Sequence, residues 1–222
     1  MNEASKVIRT WGPWERSLLE GNGIDIGCGS NPVTDRVRRF DVADGDANRI
    51  TDFVPERFDF VFSSHCLEHM DNPLGALQGW WQLVKPGGHL ILVVPDEDLY
   101  EQGVFPSRFN TDHKFTFTIS KAKSWSPVSQ NLLDLVQALP EAKVVNLVLQ
   151  DQGYDRGLYR HGPVPRPPRW LRTLAKLQRS LHCRWGWVAD AMDGYRVMDQ
   201  SLRPDALSQI QCIVQKLEKV DA

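Results

Sequence analysis

Two short stretches of this sequence carry the residue types from which binding and catalytic sites are built. GIDIGCGSNP, residues 23–32, places a carboxylate two residues before a pair of closely spaced glycines. Such a turn lets a ligand approach backbone N–H groups, because glycine has no Cβ. HCLEH, residues 65–69, matches the inverted zincin pattern H-x-x-E-H, whose histidines hold zinc on one helix face. The first stretch indicates a nucleotide-like ligand, and the second a metallohydrolase.

The residues around the glycine turn narrow the choice of ligand. The dinucleotide pattern G-x-G-x-x-G would begin at Gly27, but its third glycine is replaced by Pro32, which removes a donor and disfavours NAD. No G-K-[ST] follows, so the turn is not a P-loop. Asp41 ends the next predicted strand, where a carboxylate is placed to bind the two hydroxyls of a ribose. Asp44 and Asp46 are alternatives for that role.

The sequence context of HCLEH argues against the zinc interpretation. Residues 58–62 form an apolar strand that runs into the motif, and Asn72-Pro73 marks the start of the next helix. The motif therefore occupies a strand end and a turn, where its histidines do not share a helix face. We expect no metal here and keep a zinc hydrolase as the third hypothesis, to be tested by elemental analysis.

Strands alternate with helices over most of the chain, which predicts a doubly wound, mostly parallel α/β sheet. A further helix is expected to begin at Ser126-Pro127, and the apolar segment Ile210 to Val214 fits a helix or a strand. The predicted strands are Ile24–Ile26, Arg38–Val42, Phe58–Phe62, His89–Val94 and Val144–Leu149.

Composition identifies no partner for this chain. Its 222 residues are 41% hydrophobic with a formal net charge of −2, which fits one domain over residues 1–222. The four cysteines are scattered and form no C-x-x-C. No signal peptide or membrane-spanning run is recognisable, so we expect a cytoplasmic protein.

A Pro- and Arg-rich insertion, residues 153–205, interrupts the alternation. From Arg156 to Ala189 there are eight Lys or Arg and no acid. Trp170, Leu174, Leu177 and Leu181 recur at helical spacing, beside a basic stripe of Arg169, Arg172, Lys176 and Arg179. The apolar stripe either packs on the domain or contacts anionic lipid at the inner face of the membrane, or the basic stripe binds a phosphate-bearing substrate. Nucleic acid is disfavoured, because aromatic residues are not interleaved as stacking platforms.

Four segments together resemble the class I S-adenosylmethionine-dependent methyltransferases: IDIGCGSNP, FDFVFSSHCLEH, LVKPGGHLILVVP and, more loosely, DHKFTFT. The resemblance covers residues 22 to 120. It implies a Rossmann-like, seven-stranded sheet whose last strand, residues 209–216, is antiparallel. It also implies S-adenosylmethionine as the cofactor. The cofactor-binding residues so implied are Asp25, Gly27, Cys28 and Gly29 at the turn, Asp41 on the ribose, Asp52 near the adenine amine, and Ser64 and His65 on the cleft wall.

Methyl transfer from a sulfonium requires mainly alignment, and a base only for a weakly nucleophilic acceptor such as a hydroxyl. The candidate bases are His65, His69 and His113, with Asp112 or Glu68 as orienting carboxylates. No N-P-P-Y or D-P-P-Y tetrad follows the strand at Phe62, which weighs against methylation of adenine or glutamine amino groups. The DHKFTFT-like segment resembles that of bacterial enzymes of sugar and polysaccharide biosynthesis, so we expect a small-molecule or glycan acceptor. The alternative is a catalytically inactive binding protein or partner subunit that retains the fold.

Overall fold

A six-stranded mixed sheet forms the centre of the molecule. The computed structural model describes residues 3–181, 185–193 and 195–218. The strand order in the sheet is β2-β1-β3-β4-β8-β7, and a separate small sheet contains β5 and β6. The strands are β1 (Gly23–Ile26), β2 (Arg38–Phe40), β3 (Phe58–Ser64), β4 (Val84–Pro95), β5 (Thr116–Thr118), β6 (Ser129–Asn131), β7 (Ala142–Gln150) and β8 (Gln209–Lys216).

The direction of the strands confirms the predicted fold class. β1 pairs in parallel with β2 and β3, and β3 in parallel with β4. β8 is antiparallel to both β4 and β7, so the ambiguous segment around Ile210 is a strand. Within the described residues the sheet has six strands rather than seven, and residues 47–52 between β2 and β3 form a 3-10 helix.

Helices cover the sheet and connect its strands. They are α1 (Glu3–Thr10), α2 (Pro13–Ser17), α3 (Pro73–Gln82), α4 (Leu132–Gln137), α5 (Arg169–Ser180) and α6 (Gly186–Asp193). The predicted start of α3 is confirmed, since the Asn72 side chain accepts a hydrogen bond from Gly75 N and Pro73 occupies the first turn. The predicted helix start at Ser126 is wrong, because residues 129–131 pair with β5 and Asn131 caps α4 instead.

Side chains on the two faces of the sheet enter two separate hydrophobic clusters. Along β3, Val61 packs on the face covered by Trp80 and Trp81 of α3. Its neighbours Phe60 and Phe62 pack on the opposite face with α1. This alternation is the period of two expected of a strand. Burial on both faces explains why the strands read as apolar runs, and it leaves the carboxyl edge of the sheet as the place for polar side chains.

The insertion lies between β7 and β8, two neighbouring strands of one sheet. Leu171 of α5 is buried, whereas Trp170, Leu177 and, directly after the helix, Leu181 are exposed. Three members of the predicted apolar stripe are therefore exposed among the described residues, whereas Leu174 is half-buried. Residues 182–184 and 194, including Cys183, lie outside the described residues. Among the described helices, none is long and apolar enough to cross a membrane.

Candidate functional site

A cleft of about 640 Å³ opens at the carboxyl ends of the parallel strands. Gly27, Asp41 and the stretch Asp46-Ala47-Asn48 form one side, and His65 and His69 lie on the other. This is the edge where open α/β sheets bind ligands. The structure thus joins the two stretches that the sequence singled out, as opposite walls of one cleft.

The glycine turn approaches the opposite wall too closely for a side chain. Gly27 has φ +77°, and a Cβ placed on it would lie 2.7 Å from Cβ and Sγ of Cys66. Its N–H donates to the carbonyl of Phe40 at 2.8 Å. Burial raises the pKa of the Cys66 thiol to about 12, so this cysteine is a packing partner of the turn and not a nucleophile.

Asp25 supports the turn from beneath. Its side chain is buried, and its Oδ2 accepts a hydrogen bond from Val33 N at 2.6 Å. Burial raises the pKa of Asp25 to about 7, against the opposing effect of that hydrogen bond. Asp25 is not among the residues that line the cleft, so its observed contact is with the loop that follows the turn.

Asp41 stands at the mouth of the cleft, as the sequence predicted for a ribose-binding acid. Its carboxylate accepts hydrogen bonds from Gly29 N and, at 2.7 Å, from Val42 N. Arg39 Nη2 donates to the carbonyl of Gly29 on the same turn. These contacts fix Asp41 against the glycine turn, because both carboxylate oxygens are held by backbone donors.

The adenine-side prediction needs a correction. Asp52 is exposed, pairs with Arg49 and does not line the cleft. The 3-10 helix that ends at Asp52 presents its first residues to the cleft instead. Asp46 caps this helix by accepting from Asn48 N and Asn48 Nδ2, both at 2.9 Å, and the Asn48 hydrogen bonds lower the pKa of Asp46. The sequence named Asp46 only as an alternative to Asp41 on the ribose, although an Asp two residues before an Asn is a signal for such a cap.

Several other predicted cofactor contacts lie outside the lining. Cys28 is buried and its Sγ contacts the carbonyl of Gly29 at 3.6 Å. Gly29 itself is exposed and reaches the site through its hydrogen bond to Asp41. Ser64 lies beneath the wall with a buried hydroxyl that has no hydrogen-bond partner among the described residues. His65 is the member of the Ser64-His65 pair that lines the cleft.

The backbone of HCLEH excludes the helical geometry of an inverted zincin. His65 has φ +53°, a left-handed conformation, and a 3-10 helix covers only Leu67–His69. The sequence context predicted that the two histidines do not share a helix face, and they indeed do not lie one turn apart on one α-helix. The turn nevertheless directs both imidazoles towards the buried carboxylate of Glu68, whose Oε1 is 3.6 Å from His65 Nδ1 and 4.0 Å from His69 Nε2.

His113 joins this cluster from a distant segment. The backbone carbonyl of Glu68 accepts from Lys114 N at 2.8 Å and from Phe115 N at 3.2 Å, which holds the loop after His113 against the turn. His113 Nε2 is then 3.8 Å from Glu68 Oε1, and its Nδ1 is 2.6 Å from Glu101 Oε1. Burial lowers the pKa of His113, but the Glu101 hydrogen bond and the nearby carboxylates outweigh it, so the net shift is upward.

The three candidate bases thus converge, but they differ in access to the cleft. His65 and His69 line it, whereas the His113 side chain is only 1% exposed and cannot touch a ligand there. The backbone carbonyl of Asp112, not its carboxylate, contacts His69 Nδ1 at 3.1 Å. The sequence did not predict two further residues of the cluster: Glu101, which contacts His113, and Gln209, which contacts His65. No local pattern marks them, since Gln209 lies 144 positions from His65.

Comparison with known proteins identifies the architecture. A family model described as methyltransferase domain matches residues 4–125, more than half of the 222-residue chain. A search of curated proteins finds no match.

Solved structures of similar architecture include three methyltransferases. A SAM-dependent methyltransferase from Archaeoglobus fulgidus is 12% identical, with a TM-score of 0.48, over 96% of this chain and 92% of its own. A SAM-dependent methyltransferase from Thermotoga maritima is 17% identical, with a TM-score of 0.47, over 96% and 87%. The plantazolicin methyltransferase BamL, solved with SAH, is 14% identical, with a TM-score of 0.47, over 97% and 85%.

The buried carboxyl of Asp25 predicts a pH-dependent stability difference. In the folded chain the Asp25 carboxyl keeps its proton up to about pH 7, whereas in the unfolded chain it loses the proton near pH 4. Between these values the folded state binds more protons, so the free energy of unfolding falls as pH rises. Asp25→Asn keeps an acceptor for Val33 N and does not titrate.

We therefore expect the Asn variant to gain stability relative to the native chain between pH 4 and 8, by up to about 4 kcal/mol. Urea denaturation of both proteins across this range measures the difference between their free energies of unfolding. The contributions of the other titrating groups cancel in that difference. A difference that stays constant with pH would show that Asp25 ionises normally in the folded chain.

Proposed function

The chain belongs to the methyltransferase domain family, and we propose that it methylates a hydroxyl group of a small molecule or sugar. Its methyl donor is S-adenosylmethionine. The observation that carries the proposal is the pairing of Asp41, fixed at the glycine turn, with an opposite cleft wall that contains two imidazoles. One wall suits a nucleoside and the other a hydroxyl acceptor.

The residues of the cleft fit S-adenosylmethionine. Gly27 has no Cβ, so Cys66 packs directly against the turn, and Gly27 lines the cleft beside Asp41. Asp41 offers a carboxylate for the ribose hydroxyls, and Asp46 to Asn48 offer polar groups beside the apolar side chains of Phe40 and Met70 for the adenine. We assign Asp25 the positioning of the turn. When bound, the cofactor supplies a methyl group on a sulfonium, which makes the methyl carbon electrophilic.

The imidazole wall supports a hydroxyl acceptor over an amine. A hydroxyl is a weak nucleophile and must lose its proton as the oxygen–carbon bond forms and the carbon–sulfur bond breaks. His65 and His69 border the cleft, where they can receive that oxygen and promote loss of its proton. His113 and Glu68 lie behind them and hold this wall in place. We propose that residues 1–222 form one domain and that this domain catalyses the methyl transfer.

A membrane contact is supported by the insertion between β7 and β8. Trp170 and Leu177 of α5 and Leu181 directly after it are 58%, 45% and 58% exposed. Arg169, Arg172, Lys176 and Arg179 lie on the same helix. Exposed apolar side chains beside a basic stripe are typical of a helix that lies in the interface of an anionic membrane. We propose that residues 156–189 bring the enzyme to the cytoplasmic face of a membrane, where a lipid-linked glycan acceptor of polysaccharide biosynthesis would lie.

The cofactor assignment predicts a clear contrast between two aspartates. Asp41→Asn removes the carboxylate at the ribose position, and we expect at least tenfold weaker binding of S-adenosylhomocysteine, about 1.4 kcal/mol. Asp52→Asn is the matched control, because Asp52 is exposed and outside the lining. Isothermal titration calorimetry measures both. Equal losses in the two variants would contradict the assignment.

The acceptor proposal is tested by turnover. The chain is incubated with S-adenosylmethionine and separate pools of sugars, phenols and amines, and S-adenosylhomocysteine is measured by mass spectrometry. We expect product with a hydroxyl pool and a strong loss in His69→Ala. Turnover with amines alone would overturn the hydroxyl proposal. Binding of S-adenosylhomocysteine without any turnover would favour the inactive binding protein.

The membrane proposal predicts charge-dependent vesicle binding. The chain should sediment with phosphatidylglycerol vesicles at low salt and remain in solution with phosphatidylcholine, because the basic stripe needs anionic lipid. Trp170→Ser with Leu177→Ser should abolish sedimentation, whereas Trp14→Ser, at a tryptophan that is 45% exposed in α2, should not. Failure of the native chain to sediment with either vesicle would refute the contact.

A further inference from the structure

The histidine cluster around Glu68 has a hydrogen-bonding pattern that the methyl-transfer proposal does not require. Each imidazole has one ring nitrogen that faces outward to a hydrogen-bond acceptor and one that faces the carboxylate of Glu68. The outer acceptors are the carbonyl of Asp112 for His69 at 3.1 Å, Glu101 Oε1 for His113 at 2.6 Å, and Gln209 Oε1 for His65 at 3.0 Å. In each neutral ring, the nitrogen that faces an atom able only to accept a hydrogen bond must carry the hydrogen.

For His69 and His113 the assignment is direct. A backbone carbonyl only accepts, so His69 Nδ1 carries the hydrogen and Nε2 has the lone pair. The Glu101 carboxylate accepts in the same way, which places the hydrogen of neutral His113 on Nδ1. In both rings the unprotonated Nε2 is the nitrogen that faces Glu68, at 4.0 Å and 3.8 Å.

For His65 a chain of three glutamines fixes the proton. The indole N–H of Trp11 can only donate, so the atom of Gln211 that it meets at 2.6 Å is the amide oxygen. That oxygen also accepts from Gln150 Nε2 at 3.1 Å, which leaves Gln150 Oε1 to accept from Gln209 Nε2 at 2.7 Å. Gln209 Oε1 must therefore accept from His65.

In His65, as in the other two rings, the unprotonated nitrogen is the one that faces Glu68. Its Nε2 carries the hydrogen, and its Nδ1 lone pair faces Glu68 Oε1 at 3.6 Å. When the three rings are neutral, their unprotonated nitrogens thus all face the carboxylate of Glu68, and no N–H lies between them. Glu68 is fully buried, and neither of its oxygens has a hydrogen-bond partner among the residues that the structure describes. A buried carboxylate in this state is costly unless a cation compensates it.

The distances suit a metal ion. Bonds of about 2.1 Å from a metal to nitrogen and oxygen allow two ligand atoms to lie up to about 4.2 Å apart. The separations of His69 and His113 from Glu68 Oε1, 4.0 Å and 3.8 Å, fall within that limit. The three ligand atoms lie within 4.8 Å of one another, so a small inward movement of the imidazoles brings all three within reach of one ion. The outer hydrogen bonds of the imidazoles are those that metal-ligating histidines make in proteins.

We propose that Glu68, His69 and His113 bind a divalent transition-metal ion, beside His65 Nδ1, which lies 3.6 Å from Glu68 Oε1. Imidazole and carboxylate together favour Zn²⁺ and its neighbours over Mg²⁺ or Ca²⁺. His65 and His69 border the cleft, so the open side of the ion faces the acceptor. Resting on the proposed function, this site takes the acceptor oxygen as a further ligand, and coordination lowers the pKa of its hydroxyl. It differs from an inverted zincin, since His113 replaces a helical partner.

Metal content and spectroscopy test the site without reference to turnover. The full chain is stripped with dipicolinate and titrated with Co²⁺, whose visible absorption reports its ligands, and Zn²⁺ content is measured by mass spectrometry after dialysis. We expect one ion per chain. Glu68→Gln and His69→Ala should each weaken binding at least about tenfold. His161→Ala is the control, because His161 is exposed and contacts Tyr159 instead.

Each outcome has a defined meaning. No stoichiometric uptake by the native chain, or uptake by the Glu68 and His69 variants as tight as that of the native chain, would overturn the metal site. Uptake without a change of the Co²⁺ spectrum on adding azide would overturn the open position that faces the acceptor. Thermal stabilisation by S-adenosylhomocysteine, measured on the same samples, checks the folding of each variant. If it persists while metal uptake fails, the proposed function stands and only this inference falls.

Discussion

The close contact between Gly27 and Cys66 is the constraint on which the site depends. There is no space for a Cβ at Gly27, so the end of β1 and the turn after β3 lie against each other. This contact sets Asp41 and the glycine turn on one wall and the histidines on the other. The sheet is buried on both faces, which leaves this edge as the place where polar groups meet a ligand.

Behind the second wall, buried charge organises residues that are far apart in sequence. Glu68 is surrounded by imidazoles from two segments, and each imidazole is oriented by a different partner. The chain of amides from Trp11 through Gln211 and Gln150 to Gln209 shows how the sheet extends this order to His65. Such a network is rigid when every polar group is satisfied, and the orphaned carboxylate at its centre indicates that a cation completes it.

Local sequence patterns predicted part of the fold and part of the candidate site. Apolar runs gave the strands, Asn72-Pro73 gave the start of α3, and the acid after β2 gave Asp41. Asp52 was misplaced, because the chain before it forms a 3-10 helix that directs Asp46 and Asn48 to the cleft. The Ser126-Pro127 signal failed because tertiary pairing with β5 overrode it. Glu101 and Gln209 could not be predicted, since their roles arise only from long-range packing.

A crystal structure of the native chain with S-adenosylhomocysteine, with data collected above and below the zinc absorption edge, tests the whole site at once. We predict that the ribose hydroxyls bind the Asp41 carboxylate and that an anomalous difference peak lies between Glu68, His69 and His113. We also predict that this peak borders the open side of the cleft, where His65 and His69 line it. Ribose density away from Asp41 would contradict the cofactor site, and a cluster without a peak would contradict the metal.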